Sequence, residues 1–347
     1  MKTKQIVLGV ITLGLIGGGI FAYILYSTFF TPNTRFETDD AFVYIPTDAT
    51  VEILEERLSP FITDLDSFKS AADKKGYLQN IKAGKFRIKK GMNNNELVNS
   101  LRSGNLPVKV SFNNQETLHD LAGRIAAQIE ADSISLLAAF KDKSFLNTNG
   151  FNEANSLSPY IPNSYEFFWN TSAEGFRDRM FKEYQRFWTD ARKEKAKRLG
   201  LSPNDVIALA SIVHKETAKI DERPRVAGVY LNRLRKNMLL QADPTVIYAI
   251  KKETGNFDTV IKRVLYKDLE LDSPYNTYKY LGLPPGPIAM PDITAVDAVL
   301  NPEKHKYYYF VANVEKFGYH MFAESLTQHN RNKAQYIRWI NSRKIKR

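Results

Sequence analysis

Glu216 is the side chain in this sequence best placed for acid–base chemistry. Residues 202–205, Ser-Pro-Asn-Asp, are typical of a helix start, and the apolar residues 206–213 predict a buried helix ending near Glu216. At about 100° per residue, Glu216 lies about 40° from Ile212 and about 20° from Leu209, so it continues an apolar stripe. Loss of solvation raises the pKa of a carboxylic acid. The pattern therefore predicts a general acid that works near neutral pH.

Two simpler interpretations of Glu216 stay open on the sequence alone. The residue could stand in solvent at a fraying helix end, or it could pair with an arginine such as Arg223 or Arg225. The spacing of His214 and Glu216 occurs at the zinc site of deaminases, but that site needs cysteine ligands and the chain has no cysteine. The remaining histidines are too scattered for a metal set. We expect neither a metal nor another cofactor.

The elements around this helix predict an α+β fold. Alternating apolar residues predict short strands, and apolar residues at helical spacing predict helices. The predicted strands cover residues 42–45, 85–88 and 108–112. The predicted helices cover residues 51–58, 68–72, 94–103, 118–129, 133–140 and 174–199, besides the helix that ends near Glu216.

The N-terminal segment is predicted to anchor the chain in a membrane. Residues 6–27 carry no charge, which is enough length for a bilayer and too long for the core of a signal peptide. Lys2 and Lys4 precede the segment and Arg35 follows it. The positive-inside rule therefore keeps residues 1–5 in the cytoplasm and places the rest of the chain outside.

The net charge and the absence of cysteine limit the classes of partner and anchor that the chain can have. The net charge is +11, and residues 331–347 contribute seven basic residues and no acidic one. Such a basic balance fits nucleic acid, anionic lipid or an anionic polymer, but the predicted topology excludes nucleic acid. The absence of cysteine excludes disulfides, thiolate metal sites and an acylated cysteine anchor. The partners that remain are the membrane surface, the cell wall and other envelope proteins.

Five separate motifs lie at residues 210–217, 229–234, 240–248, 273–289 and 309–330. Together, and in this order, they make residues 200–332 closely similar to the YceG-like family of endolytic murein transglycosylases. Residues 83–98 resemble the LysM-like domain of that family. The chain departs from the family pattern at His214, where a glutamate is usual, and at residues 290–292, Met-Pro-Asp, where Asn-Pro-Gly is usual.

The resemblance implies a fold, an activity and partners. Family members are single-pass membrane proteins that cut the MurNAc–GlcNAc bond inside nascent glycan strands, leave 1,6-anhydroMurNAc ends and so end strand elongation beside peptidoglycan synthases. The catalytic glutamate of the family falls on Glu216. The implied organisation is a cytoplasmic N-terminus (1–5), a transmembrane helix (6–27), a small LysM-like α/β domain (38–112), a helical connecting region (113–195) and a mixed α+β catalytic domain (196–347).

Four further side chains are candidate substrate ligands. Asn232, Gln241, Asn276 and Tyr278 carry amide or phenol groups that can bind sugar hydroxyls and N-acetyl groups. Asn232 is equally compatible with a buried structural amide. Asp243 precedes a proline and has the form of a helix cap, which favours a structural role.

Two other functions compete with a lytic transglycosylase. A muramidase would hydrolyse the same bond with a second carboxylate, for which Glu222 and Asp243 are the candidates. A wall-binding scaffold would use the small N-terminal domain and the basic surface without cleaving anything.

Overall fold

The structure, a computed structural model, describes residues 2–342 and contains both helices and short strands. The predicted α+β class is therefore confirmed. The described chain forms two compact units. Unit 1 is drawn from Met1–Val110, Gln128–Ala131 and Tyr165–Ser172, and unit 2 from Ser111–Ala127, Asp132–Ser164 and Ala173–Arg347.

The N-terminal helix α1, Lys2–Phe30, is long and apolar enough to cross a membrane. Within Thr3–Phe30, an 18-residue window has a mean hydropathy of 2.1, and none of that window is buried within the protein. At its C-terminal end, the Asn94 side chain donates a hydrogen bond to the carbonyl of Thr28. This hydrogen bond ties the end of the apolar helix to the rest of unit 1.

Unit 1 is a small antiparallel sheet with helices packed on it. Its elements are β1 (Asp40–Ile45), α2 (Val51–Leu58), α3 (Leu65–Lys74), β2 (Gly84–Lys89), α4 (Asn94–Ser103) and the start of β3 (Pro107–Phe112). β1 and β2 pair antiparallel with Val43 opposite Phe86, and both side chains enter one apolar core with Phe68 and Leu97. Asn93 caps α4, because short polar side chains bind the unpaired N–H groups of a first turn.

The other elements are mainly helical, and all of them lie in unit 2 except the strand Asn163–Phe168, most of which belongs to unit 1. They are α5 (Leu118–Ala126), α6 (Ser133–Phe140), α7 (Lys143–Thr148), β4 (Asn163–Phe168), α8 (Ala173–Phe187), α9 (Asp190–Arg198), α10 (Pro203–Glu216), α11 (Arg223–Arg235), α12 (Asp243–Thr254), α13 (Ile293–Leu300), β5 (Tyr309–Ala312), β6 (His320–Ala323) and α14 (Leu326–Ser342). β3 pairs with β4, and β5 pairs with β6 as an antiparallel hairpin.

Helix α10 lies at the centre of the unit 2 core. It packs against α9, α11, α12 and α13, and every residue from Val206 to Val213 is buried. Because so much of its circumference is covered, its apolar residues hold the helix rigidly in place. Its C-terminal end is therefore a fixed point on which a functional side chain can be carried.

Two local predictions are wrong. The predicted helix 174–199 is two helices, α8 and α9, because the Thr189 side chain caps a new helix start by accepting the N–H of Arg192. Asp243 is not a helix cap: Ala242 occupies the cap position of α12, and the Asp243 carboxylate accepts a hydrogen bond from the hydroxyl of Tyr278 instead.

The basic segment at residues 331–347 begins within α14, and residues 343–347 lie outside the described residues.

Candidate active site

Local sequence signals place Glu216 at the last residue of α10. Ser202 caps the helix and forms a reciprocal capping box with Asp205, and Pro203 occupies the first turn, as predicted. At the other end, the backbone becomes extended at Thr217. The buried body of the helix thus carries Glu216 to the point where the chain leaves the core.

Glu216 is neither solvated nor paired with an arginine. Its side chain is partly buried, and its Oε1 accepts a 2.6 Å hydrogen bond from the hydroxyl of the buried Tyr230. Arg223 forms its ion pair with Asp292, and Arg225 pairs with Glu303. Both simpler interpretations of Glu216 are therefore wrong.

Burial raises the pKa of Glu216 to about 7. The hydrogen bond from Tyr230 and the positive charge of Arg233 lower the pKa, whereas the negative charge of Asp243 raises it. Desolvation is the largest of these effects, so the protonated acid is well populated at neutral pH. This is the property required of a general acid that donates a proton near pH 7.

Glu216 opens into a cavity of about 410 Å³ within unit 2. Its walls come from α11, the segment before α12, the β5–β6 hairpin and α14. The polar groups around it include Arg233, Gln241, Asp243, Tyr278 and His320. A larger cavity of about 500 Å³ in the same unit lies around Lys215, Lys251 and Glu116. Both lysines form ion pairs with the Glu116 carboxylate. Glu216 does not line this larger cavity.

Two of the four predicted substrate ligands line the cavity of Glu216. Gln241 is exposed there, at a positive φ of 49°, and its Oε1 accepts a hydrogen bond from Arg233. The hydroxyl of Tyr278 donates a 2.5 Å hydrogen bond to Asp243. The structure thus brings together Glu216, Gln241 and Tyr278, and adds Asp243, which the sequence favoured as a structural residue.

The other two predicted ligands lie outside this cavity. The Asn232 amide donates to the carbonyls of His305 and Tyr307, which ties α11 to the segment before β5. Asn276 is fully buried, and its amide donates to the carbonyls of Leu269 and Leu271. Their amides hold the backbone together, so neither belongs to the site described here.

Three polar residues of the site, Tyr230, Arg233 and His320, were not predicted from the sequence as site residues. Tyr230 and Arg233 are one helical turn apart on α11, so they share a face of that helix. Arg233 is almost fully buried, donates to the carbonyls of Tyr308 and Leu240, and lies 5.2 Å from the ring centroid of Tyr309. His320 enters from β6. For Tyr230 and Arg233, the available sequence signal was the presence of polar residues within the apolar pattern of α11.

A buried ion cluster fixes the turn that follows Glu216. Arg223, which is 3% exposed, donates from Nε to the carbonyl of Thr217 and pairs with Asp292 at 2.8 Å. Nδ1 of His214 lies 3.2 Å from the same carboxylate. The departures from the family pattern at His214 and Asp292 are thus neighbours in space, and Arg223 links both of them to the C-terminal end of α10.

Within residues 2–342, no three His, Asp or Glu side chains converge in a way that could hold a metal ion. The absence of a cofactor stays a prediction. The side chains that line the cavity can supply acid–base chemistry and hydrogen bonding.

The family model of the YceG-like family matches residues 43–335. The chain belongs to this family. A relative from Bacillus subtilis (strain 168), named endolytic murein transglycosylase, is 30% identical over 342 residues, which cover 93% of this chain and 91% of the relative. A protein of the same name from Streptococcus pneumoniae serotype 2 is 37% identical over 141 residues, 41% of this chain and 25% of that protein.

A solved structure supports the same assignment. The crystal structure of a YceG-like protein from Listeria monocytogenes matches 85% of this chain and 99% of that one, with a TM-score of 0.57 and 29% sequence identity. The YceG-like match in sequence thus extends to the fold.

Proposed function

We propose that this YceG-like chain is a peptidoglycan lytic transglycosylase that cleaves the MurNAc–GlcNAc bond within nascent glycan strands and leaves 1,6-anhydroMurNAc ends. The names of the Bacillus and Streptococcus relatives support the substrate class and the reaction. The single observation that carries the catalytic assignment is the partly buried carboxyl of Glu216. It faces a polar cavity, accepts a hydrogen bond from Tyr230 and has a pKa raised to about 7.

In the proposed mechanism, Glu216 acts first as an acid and then as a base. The protonated carboxyl gives its proton to the glycosidic oxygen as the bond to C1 of MurNAc breaks. The C6 hydroxyl of the same MurNAc then attacks C1, and the Glu216 carboxylate accepts the hydroxyl proton. Because the attacking group belongs to the substrate, no protein nucleophile and no positioned water is needed, and the intramolecular attack has an entropic advantage. The raised pKa of Glu216 suits both steps, because a carboxyl that titrates near neutral pH can both donate and accept a proton.

We propose that Gln241 and Tyr278 bind the sugars on either side of Glu216. The Gln241 side chain is exposed in the cavity and offers both a donor and an acceptor. Tyr278 can stack its ring on a pyranose face while its hydroxyl stays bound to Asp243. These two contacts would position the strand across the catalytic carboxyl.

The muramidase alternative now depends on one of its two candidate carboxylates. Glu222 is 4% exposed, and both of its oxygens accept hydrogen bonds from His320, so it is not available to activate a water. Asp243 lines the same cavity as Glu216 and is exposed. A hydrolytic reaction would therefore use Asp243 as the second carboxylate. The Tyr278 hydroxyl already bound to Asp243 argues for a positioning role instead.

We also propose the membrane topology and the domain roles. Helix α1 would span the bilayer once, and by the positive-inside rule Lys2 and Lys4 would keep the N-terminus in the cytoplasm and the rest of the chain outside. We propose a LysM-like domain over 38–112, a helical connecting region over 113–195 and a catalytic domain over 196–347. Peptidoglycan synthases are the proposed protein partners.

Protease added to intact spheroplasts should digest the chain, and full protection of the chain would contradict the proposed topology.

A digestion assay separates an enzyme from a scaffold. We expect the full chain, purified in detergent, to release soluble saccharides from isolated wall sacculi at a rate proportional to the enzyme concentration. The measurement is the soluble amino-sugar content after sedimentation, together with the fraction of protein that sediments. Binding to the sacculi without any release of saccharide would contradict the proposed activity and favour the wall-binding scaffold.

A further inference from the structure

His320 is held rigidly on the wall of the cavity that contains Glu216. It begins β6, and its ring packs edge-on against Phe310, with 5.0 Å between the ring centroids. Phe310 also packs edge-on against Tyr230, the residue that donates to Glu216. The mechanism proposed above gives His320 no task, although it is a polar group in direct reach of the cavity.

Glu222 fixes the orientation of the His320 ring. Its Oε1 accepts the backbone N–H of His320 at 2.8 Å, and its Oε2 lies 2.8 Å from Nδ1. Burial alone would raise the pKa of Glu222, but its contacts with His320 and a hydrogen bond from Thr217 together lower the pKa below its usual value. An ionised carboxylate can only accept, so Nδ1 must carry the proton in this contact. The nitrogen left to face a ligand is Nε2, which bears a lone pair when the ring is neutral.

A hydrogen-bond acceptor such as Nε2 of a neutral histidine can stabilise the transition state of this reaction. As the glycosidic bond breaks, positive charge develops around C1 of MurNAc, in a transition state that resembles an oxocarbenium ion. The 2-acetamido group on the neighbouring carbon can share this charge through its carbonyl oxygen, which makes its N–H more acidic. An acceptor aimed at that N–H stabilises the transition state more than the ground state, and this difference is what accelerates a reaction.

We propose that His320 is a second catalytic residue, whose Nε2 accepts a hydrogen bond from the 2-acetamido N–H of the MurNAc that reacts, and that Glu222 is the positioning residue behind it. This inference rests on the proposed function. In the first step, the acetamido oxygen bonds to C1 as the bond from C1 to the leaving oxygen breaks, and Glu216 gives its proton to that oxygen. In the second, O6 bonds to C1, the acetamido oxygen leaves C1, and the O6 proton goes to Glu216. His320 gains no proton overall.

The decisive variant is His320→Asn. The amide nitrogen of asparagine can take the place of Nδ1 and keep the bond to Glu222, but nothing replaces Nε2. We expect kcat on peptidoglycan strands to fall about 100-fold, with KM within about threefold, because electrostatic groups of this kind contribute about that factor. His320→Gln, which offers an amide at the position of Nε2, is the second variant should the first fail to fold. A kcat within threefold of wild type, or a loss confined to KM, would overturn the proposal.

The Glu222 variants test whether that residue acts through His320. We expect Glu222→Gln to lower kcat about tenfold, and the double variant with His320→Asn to be no slower than His320→Asn alone, because coupled residues are not additive. Losses that multiply in the double variant would contradict the positioning role. His119→Asn, at an exposed position of α5, is the matched control and should keep the wild-type rate.

The product ends separate this inference from the proposed function. The residual products of His320→Asn should still carry anhydro ends, because Glu216 performs both proton transfers. If the wild type itself makes no anhydro ends, the proposed function fails. If the wild type makes them and His320→Asn is as fast, only the role of His320 fails.

Discussion

Glu216→Gln should reduce cleavage of peptidoglycan strands by at least about 100-fold and up to about 10⁴-fold, the range over which general acid catalysis contributes to rate. Glutamine keeps the size of the side chain and can still accept the hydrogen bond from Tyr230, but it has no proton to give to the leaving oxygen. The measurement is the initial rate at which soluble saccharides are released by the full chain in detergent. Binding of the variant to sacculi should be retained, because the loss belongs to the chemical step.

Glu253→Gln is the matched control for this prediction. Glu253 is an exposed carboxylate on α12 in the same unit and does not line the cavity. Its substitution removes one negative charge and should leave the rate unchanged. If Glu216→Gln retained more than a tenth of the wild-type rate while Glu253→Gln was normal, Glu216 could not be the general acid.

The same variant should be more stable than the wild type at alkaline pH. The pKa of Glu216 is raised from 4.5 to about 7 by folding, so the folded state favours the protonated carboxyl. This contribution is fully present below about pH 4.5 and is lost as the pH rises through about 7. At 1.36 kcal/mol per pKa unit, the ionised carboxylate costs about 3 kcal/mol above that pH. Glutamine, which cannot ionise, avoids this cost.

The measurement is the free energy of unfolding of the full chain in detergent between pH 4 and pH 9. The difference between Glu216→Gln and the wild type should grow with pH and level off above about pH 8. Glu253→Gln is expected to stay within about 0.5 kcal/mol of the wild type at every pH, as is usual for exposed positions. A difference for Glu216→Gln that did not change with pH would show that Glu216 is not desolvated in the folded protein.

The position of Glu216 could be predicted because its signals are local. The cap at Ser202, the proline after it and the apolar period of α10 all lie within one helix, and together they fix which face Glu216 continues. The strands and helices of unit 1 follow from similarly local patterns. A buried helix body and a carboxyl at its end were enough to indicate the chemistry.

The partners of Glu216 could not be predicted, because tertiary packing brings them together. Tyr230 comes from α11, Tyr278 from an irregular segment and His320 from the β5–β6 hairpin. Amide side chains were ambiguous for a different reason: Asn232 and Gln241 offer the same groups, but only the backbone carbonyls around Asn232 reveal that its amide is already used. The sequence Asp243-Pro244 is typical of a helix cap, but the Asp243 carboxylate binds Tyr278, which is distant in sequence.

The masses of the cleaved ends test the central claim most directly. Uncrosslinked peptidoglycan strands would be digested by the full chain in detergent, and the fragments analysed by mass spectrometry without prior reduction. Intramolecular attack by the C6 hydroxyl predicts that every new MurNAc end is lighter by one water than a reducing end and resists borohydride. New ends with the mass of an ordinary reducing sugar, which borohydride reduces, would contradict this account and assign the reaction to hydrolysis with Asp243 as the second carboxylate.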